Sequence, residues 1–576
     1  MIKRSMLALT LTGSALATAA TAQTAATPAS PQVPGAQPGD AVPDEAPENT
    51  VVVTGTRALG RTLAQSPVPI DVISSEALQS SGLGETNKIL NSLVPSFNFP
   101  QPSITDGTDV IRPASLRGLA PDQTLILVNG KRRHVTALLN VNGSVGRGSA
   151  AVDLNTIPAI AIDRIELLRD GVSSQYGYDA IAGVINVQLR RNRTGGRVQM
   201  SYGKYDTTLA GVADVTGLQS QANGQPFLDP NDTRVFAVNT NGQRHVVDGS
   251  LFTYAANLGV AIGGEGYLNL SAEYRDRDPT NRSGADIRSN YNRTNTGATG
   301  PFDARGAMLG RVLVRYGDAA TKDYNLFLNA AVPLGTLELY AFGSFPRRNG
   351  SSAANRRQSL TANNRDYSVI TAATAPTTAN FAPLRSDCFL PFINPKLTDY
   401  SAALGVRGDV GPFKSDLSVV YGDNRFDYRT ENSLNPSFGP ASPSSFDDGG
   451  LELGQLTANL DLSHEFELGF AKPVTFAFGG EYRHERFQIF PGEVASYAAG
   501  PFLVAAQTTT AANCAAQGGV FNATAGICAF PGRAAAVGAQ GFPGFPATAR
   551  TDARRSSEAG SICRRGSPPA HSGVSA

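Results

Sequence analysis

From Arg197 onward, apolar and polar residues alternate with a period of two. Leu268, Leu270, Ala272 and Tyr274 interleave with Asn269, Ser271, Glu273 and Arg275. Leu456, Ala458, Leu460 and Leu462 interleave with Thr457, Asn459, Asp461 and Ser463, and Val474, Phe476, Phe478 and Tyr482 with Thr475, Ala477, Glu481 and Arg483. A strand sends successive side chains to opposite faces, so each segment has one apolar face and one charged face. That is the requirement for a wall between lipid and a polar lumen. Nine such segments lie within 197–487. They pair through short turns at Gly263-Gly264-Glu265, Pro333-Leu334-Gly335, Val410-Gly411-Pro412 and Gly469 to Ala471. Long polar loops at 278–321, 348–397 and 429–451 separate the pairs. A soluble sandwich shares the alternation but does not sort its loops by length, so the pattern predicts a transmembrane antiparallel barrel.

Ahead of the wall, residues 66–190 read as a small α+β domain. Pro67 to Ile73 is extended, and Ser74 is placed to cap a short helix through Leu78. A second helix, Thr86 to Leu93, stops before Pro95. Thr124 to Val128 is a buried strand running into the hairpin pair Asn129-Gly130. Ile160 to Leu168 and Gly183 to Val187 are further apolar strands.

The N-terminus has Lys3 and Arg4, an apolar run from Met6 to Ala20, and the small residues Ala20-Thr21-Ala22. This is the make-up of a cleaved export signal over 1–22. The run is too short and too Thr-rich for a spanning helix, which takes about 20 apolar residues. Residues 23–48, with six prolines, form a semi-extended linker. Then comes Asn49-Thr50-Val51-Val52-Val53-Thr54-Gly55. A strand-prone segment on a tether suits addition to another protein's sheet edge. The plain alternative is the first strand of the next domain.

Composition narrows the picture further. The 576 residues carry 49 basic and 48 acidic side chains, which offers no electrostatic reason for a nucleic-acid partner. Sixty Gly and 36 Pro exclude a helical bundle. The four cysteines (Cys388, Cys514, Cys528, Cys563) show no metal-ligand spacing. A Cys514–Cys528 bridge in an oxidising compartment is one reading, and idle thiols are the other. With no Trp, an interfacial belt must rest on aromatics such as Tyr202, Tyr254, Tyr274 and Tyr421.

Residues 49–490 resemble the TonB-dependent outer-membrane receptors. Asn49 to Gly55 is similar to their TonB box, with Asn49 where Asp is usual. Leu116-Arg117-Gly118 with Leu125 to Arg132 is similar to the first plug motif. Ile162 to Gly171, Gln175-Tyr176-Gly177 and Ala180 to Val187 resemble the most diagnostic plug signature. The resemblance implies a plug domain over 56–192 and barrel strands over 193–490. In this family about 22 strands surround the plug. It implies a monomeric receptor in the outer membrane of a Gram-negative bacterium, seated in lipid and without cofactor, metal or catalytic residues. It further implies energy-coupled uptake of a scarce small molecule such as a ferric siderophore, cobalamin or oligosaccharide. The partner would be TonB, driven by ExbB–ExbD and bound at Asn49, Thr50, Val51, Val52, Val53, Thr54 and Gly55. Plug–barrel arginine–carboxylate pairs are also implied, for which Arg117, Arg169 and Glu481 are the candidates. Gly118, Gly130, Gly171, Gly177 and Gly183 are candidate turn positions, where a side chain would clash.

Other functions fit less well. His464-Glu465 and His484-Glu485 begin like a zinc-binding helix motif but lack the second His and lie in strand patterns. A passive porin-like channel needs neither a tethered box nor an N-terminal domain. Beyond residue 490 alternation stops, and Arg550, Arg554, Arg555, Arg564 and Arg565 mix with Ser, Pro and Gly. The expectation is that 491–576 is a loop and an aberrant, disordered tail, following a frameshift or truncation that leaves a partial receptor, with a non-functional one as the alternative.

Overall fold

The computed structural model describes residues 69–547, except 82, 141–143, 170–175, 292–301, 304, 309, 360, 367–382, 471–472, 503–506, 509, 517–519, 524–526 and 530–536. It also describes strand segments at 5–6, 9–13 and 554–565. The linker, Asn49–Gly55 and Gly171 lie outside the described residues.

The plug forms where expected. Ser74 caps helix Ser75–Ser80 by accepting from the Ala77 amide at 3.2 Å. Helix Thr86–Leu93 buries Ile89 and Leu90 completely. A five-stranded sheet runs in the order Ile70–Ser74, Ile162–Leu168, Gly183–Leu189, Thr124–Val128, Lys131–Arg132. Only the pair Thr124–Val128 with Gly183–Leu189 is parallel. Asn129 (φ 49°) and Gly130 (φ 80°) both adopt the left-handed region, which matches the right-handed twist of the strands they join.

The wall is one antiparallel sheet in which strands pair in chain order. Its members are Gly196–Leu218, Val238–Ile262, Gly266–Arg277, Ala320–Leu334, Leu337–Ser344 with Arg347–Ala353, Lys396–Val410, Phe413–Glu431, Ser445–Phe466 and Val474–Pro491. Leu337–Ser344 and Arg347–Ala353 are one crossing interrupted at Phe345-Pro346, since both pair with the same two neighbours. Pro346 has no N–H to give the ladder.

Burial in the wall is inverted relative to a water-soluble protein. On Gly266–Arg277, Asn269, Ser271, Glu273 and Arg275 are buried, whereas Leu270 is 39 % exposed. Thr457 is sealed and Leu460 is exposed. The polar faces meet the plug and the apolar faces look outward. Tyr254 and Tyr274 are cross-strand partners, and the Tyr274 and Tyr324 rings lie 5.1 Å apart. Phe413, His464, Phe466, Phe476 and Phe478 form a second aromatic group at the short-turn end. Two aromatic girdles around an apolar band mark the membrane boundaries. A depression of about 840 Å³ on the outer face, lined by Val198, Leu258, Leu270, Leu326, Leu328 and Phe345, opens toward lipid.

The tail departs from expectation. Arg554–Arg565 forms a strand along Val474–Pro491, whose edge offers unpaired backbone groups. Residues 538–545 sit against the wall, with the Phe542 ring stacked 4.3 Å from Tyr428. Their two aromatic anchors are three residues apart, so period-two alternation could not reveal them. Cys514 is disulfide-bonded, and Cys388 is free. Leu9–Gly13, part of the expected export signal, pairs along Gly196–Leu218.

Candidate functional site

The Asn129-Gly130 turn delivers four consecutive cationic or titratable residues to the wall. Lys131 Nζ lies 3.1 Å from Asp416. Arg132 bonds Asp179 within the plug and lies 3.6 Å from Glu481 on the wall. Arg133 meets Asp399 at 2.5 Å and donates to Ser344 at 3.0 Å. His134 Nε2 is 2.8 Å from the other oxygen of Asp399, which also accepts from Asn424 at 2.8 Å. Burial pushes the His134 imidazole below its ordinary value, although Asp399 works the other way. The ring fits because residue 422 is glycine: a Cβ there would lie 2.0 Å from His134 Nδ1.

A second cluster clamps the plug along the neighbouring wall strands. Glu85 sits 2.8 Å from Lys88, 3.6 Å from Arg112 and 2.6 Å from Arg277 of the wall. Arg112 reaches Asp318 at 3.2 Å. Arg348 of the wall joins Asp153 of the plug to Asp323. Arg275 donates to the plug carbonyls of Gly84 and Asn155 at 3.0 and 3.1 Å. Burial would raise the Glu85 carboxyl, but Arg277, Lys88, Arg112 and Arg275 hold it well below the usual carboxylate range. Each charge is matched, as burial demands.

At the long-loop end, a polar cavity of about 600 Å³ opens between the plug apex and the loops. Ser103, Thr105 and Asp106 supply one side, and Tyr316, Asn355, Arg357 and Gly541 the other. Ile104 (φ 60°) and Asp106 (φ 54°) hold the left-handed conformation, which is unusual for a β-branched residue and tends to cluster at functional sites. The wall holds this apex, since Tyr428 donates its hydroxyl to the Asp106 carbonyl at 3.0 Å and Ser103 donates to that of Gly317 at 2.9 Å.

The candidate plug–barrel trio is rearranged. Arg117 turns into the plug, donating to the Ala182 and Ile181 carbonyls at 3.1 and 3.0 Å. Arg169 pairs with Asp71 of the neighbouring plug strand on the plug surface. Glu481 faces Arg132 rather than either of them. Both arginines lie beside plug strands whose own groups reach them first. Gly118, Gly130, Gly177 and Gly183 adopt positive φ, but a side chain would clash only at Gly183, where a Cβ would lie 2.3 Å from the Leu168 carbonyl oxygen; the space beside Gly118 and Gly130 is open. Sequence reasoning missed Glu85, Arg112, Lys131–His134 and Arg348. The available signals were four basic or titratable residues after an Asn-Gly turn, and charges on the lumen-facing register of Gly266–Arg277.

Fold and site together define a plug domain docked on the polar face of an antiparallel wall whose other face is apolar. The family description of a TonB-dependent Receptor Plug Domain matches residues 62–184. The chain is 29% identical over 253 residues to the iron-regulated outer membrane virulence protein of Vibrio cholerae, covering 42% of this chain and 36% of the relative. It is 30% identical over 206 residues to the vitamin B12 transporter BtuB of Vibrio cholerae, covering 34% and 31%. The chain thus spans about a third of the length of these curated relatives. Similar solved structures include the ferric enterobactin receptor PfeA of Pseudomonas aeruginosa (TM-score 0.44, 16% identity, 74% of this chain and 50% of that one). Another is the siderophore receptor PirA of Acinetobacter baumannii (TM-score 0.40, 16% identity, 74% and 49%). Residues 62–184 thus match a TonB-dependent receptor plug domain, and antiparallel wall strands follow it in the chain.

Proposed function

We propose that this chain serves energy-coupled uptake, taking a scarce small molecule at the apex cavity and releasing it inward when the plug is pulled. The observation that carries this reading is a polar-lined wall clamping a folded plug through buried ion pairs, below a cavity open toward the long loops. Such a clamp does not open by itself: breaking a buried pair costs about 3–5 kcal/mol, so passage needs outside work. TonB, driven by ExbB–ExbD, supplies that work by strand addition at Asn49–Gly55. The relatives are named for iron regulation, vitamin B12 and siderophores, so ferric siderophores and cobalamin lead the substrate classes, with oligosaccharides third.

The test is deletion of residues 49–55 in cells whose growth depends on this receptor. Uptake should fall to background while ligand binding to purified protein persists. Uptake that survives the deletion identifies a passive channel instead. Screening ferric siderophores, cobalamin and oligosaccharides for binding, with expression compared under iron limitation and on glycans, separates the substrate classes.

A further inference from the structure

The apex cavity has donors awaiting a partner. Thr105 is 4 % exposed, lines the cavity, and its hydroxyl has no hydrogen-bond partner among the described residues. A buried hydroxyl left without a partner is costly, which marks it as a group completed on binding. Across the cavity, Arg357 bonds only neutral acceptors in the described structure, the Gln540 side-chain oxygen at 2.8 Å and the Asn355 carbonyl at 2.7 Å. Burial lowers the Arg357 guanidinium, with Asp106 opposing that effect. Asp106 lines the plug side of the same cavity, and its charge acts on Arg357.

Gln540 is held by a strap. Residues 541–546 read Gly-Phe-Pro twice. Phe542 stacks on Tyr428, and Phe545 meets the same ring edge-on at 5.9 Å. Tyr428 in turn bonds the Asp106 carbonyl of the plug apex. The strap backbone is tied by Gln540 N to the Leu434 carbonyl at 3.0 Å, Ser433 Oγ to the Gln540 carbonyl at 2.6 Å, and Phe545 N to the Asp448 carbonyl at 3.0 Å. Residue 544 must be glycine, because a Cβ would lie 1.9 Å from Ser496 Oγ. Gln540 is 4 % exposed, packed in beneath the strap.

We infer that the cavity takes a ligand bearing an anionic oxygen group, bound by the Arg357 guanidinium and the Thr105 hydroxyl, with Gln540 of the strap as the positioning residue for Arg357. A guanidinium matches a carboxylate or phosphate through paired N–H donors, and a neutral acceptor such as the Gln540 amide orients it without cancelling its charge. This rests on the apex cavity being the ligand site.

The probes are tricarballylate and its uncharged trimethyl ester, titrated calorimetrically into the full chain in detergent. Wild type should bind the trianion at least tenfold more tightly than the ester. Arg357→Gln should lower tricarballylate affinity at least tenfold, and Arg357→Lys should retain part of it. Gln540→Glu, which sets a carboxylate against the guanidinium, should lower it as much as Arg357→Gln, with unchanged thermal unfolding. Thr105→Val should cost several-fold. No tricarballylate binding by wild type, or affinity indifferent to Arg357→Gln and Gln540→Glu, overturns the inference. If Asn355→Trp, which fills the cavity, abolishes ester binding while Arg357→Gln leaves both probes unaffected, the cavity remains a ligand site and the anionic class falls. If Asn355→Trp affects neither probe, the cavity reading itself falls.

Discussion

The plug and the wall bury opposite kinds of side chain. In the plug, Ile89, Leu90, Ile165 and Val184 are sealed from solvent, as in any water-soluble domain. In the wall, Arg275, Asn424 and Thr457 are sealed, and Leu404 and Leu417 stand more than half exposed. The same apolar side chain is therefore worth different amounts in the two regions. Moving Leu from water to a core gains free energy, whereas lipid tails are as apolar as Leu and reward its burial little. The plug holds together by apolar packing, and it holds to the wall through matched charges as well.

Removing one partner of that charge seam should have the largest effect. Arg348→Ala strips Asp153 of its cation in a sealed site and leaves Asp323 with Arg275 alone, at a cost of about 3–5 kcal/mol. Limited proteolysis in detergent should then cut the plug before the wall unfolds; a plug as protected as in wild type would show the seam does not hold it. Ile89→Ala should cost about 2–5 kcal/mol in the plug, while Leu270→Ala on the lipid-facing surface should cost far less. Equal shifts in thermal unfolding would erase the contrast between the two regions. Gly422→Ala should displace His134 and cost about 1–3 kcal/mol through overpacking. A histidine NMR signal unchanged from wild type would argue against the close approach.

The smallest effect is a pH slope. His134 in the folded chain titrates below its ordinary value, so the unfolded state takes up the proton first. Its contribution is fully present above about pH 6.5 and is lost as pH falls toward the folded value. Plug docking should weaken over that window, and His134→Gln should flatten the slope. Glu85, held low by its four cations, keeps its contribution until far more acid conditions.

Local chemistry accounts for how much could be read in advance. Ser74 as a cap, the stop before Pro95, the Asn129-Gly130 turn and the period-two wall depend on neighbours a few residues apart, and each lies where the sequence reading placed it. The site was less legible. Arg117 and Arg169 were sound candidates by type, but partner choice depends on which carboxylate or carbonyl the fold brings within reach. The fold supplied Asp71 to Arg169 and the Ala182 and Ile181 carbonyls to Arg117. The strap at 538–546 was invisible because its glycines and aromatic rings recur every three residues, a spacing that predicts neither a strand nor a helix.

By itself, the sequence determined the two architectures and their order: a short α+β domain, then strands with one greasy and one wet face. Periodicity and turn residues act within a strand or a helix, so the linear chain carries them in full. Tertiary structure alone decided which charges face each other across the plug–wall seam, why residue 422 has no side chain, and how Gln540 comes to hold Arg357 nearly two hundred residues away. Those outcomes depend on distances of a few ångströms between segments remote in sequence, and only the closed packing of plug, wall and strap sets them.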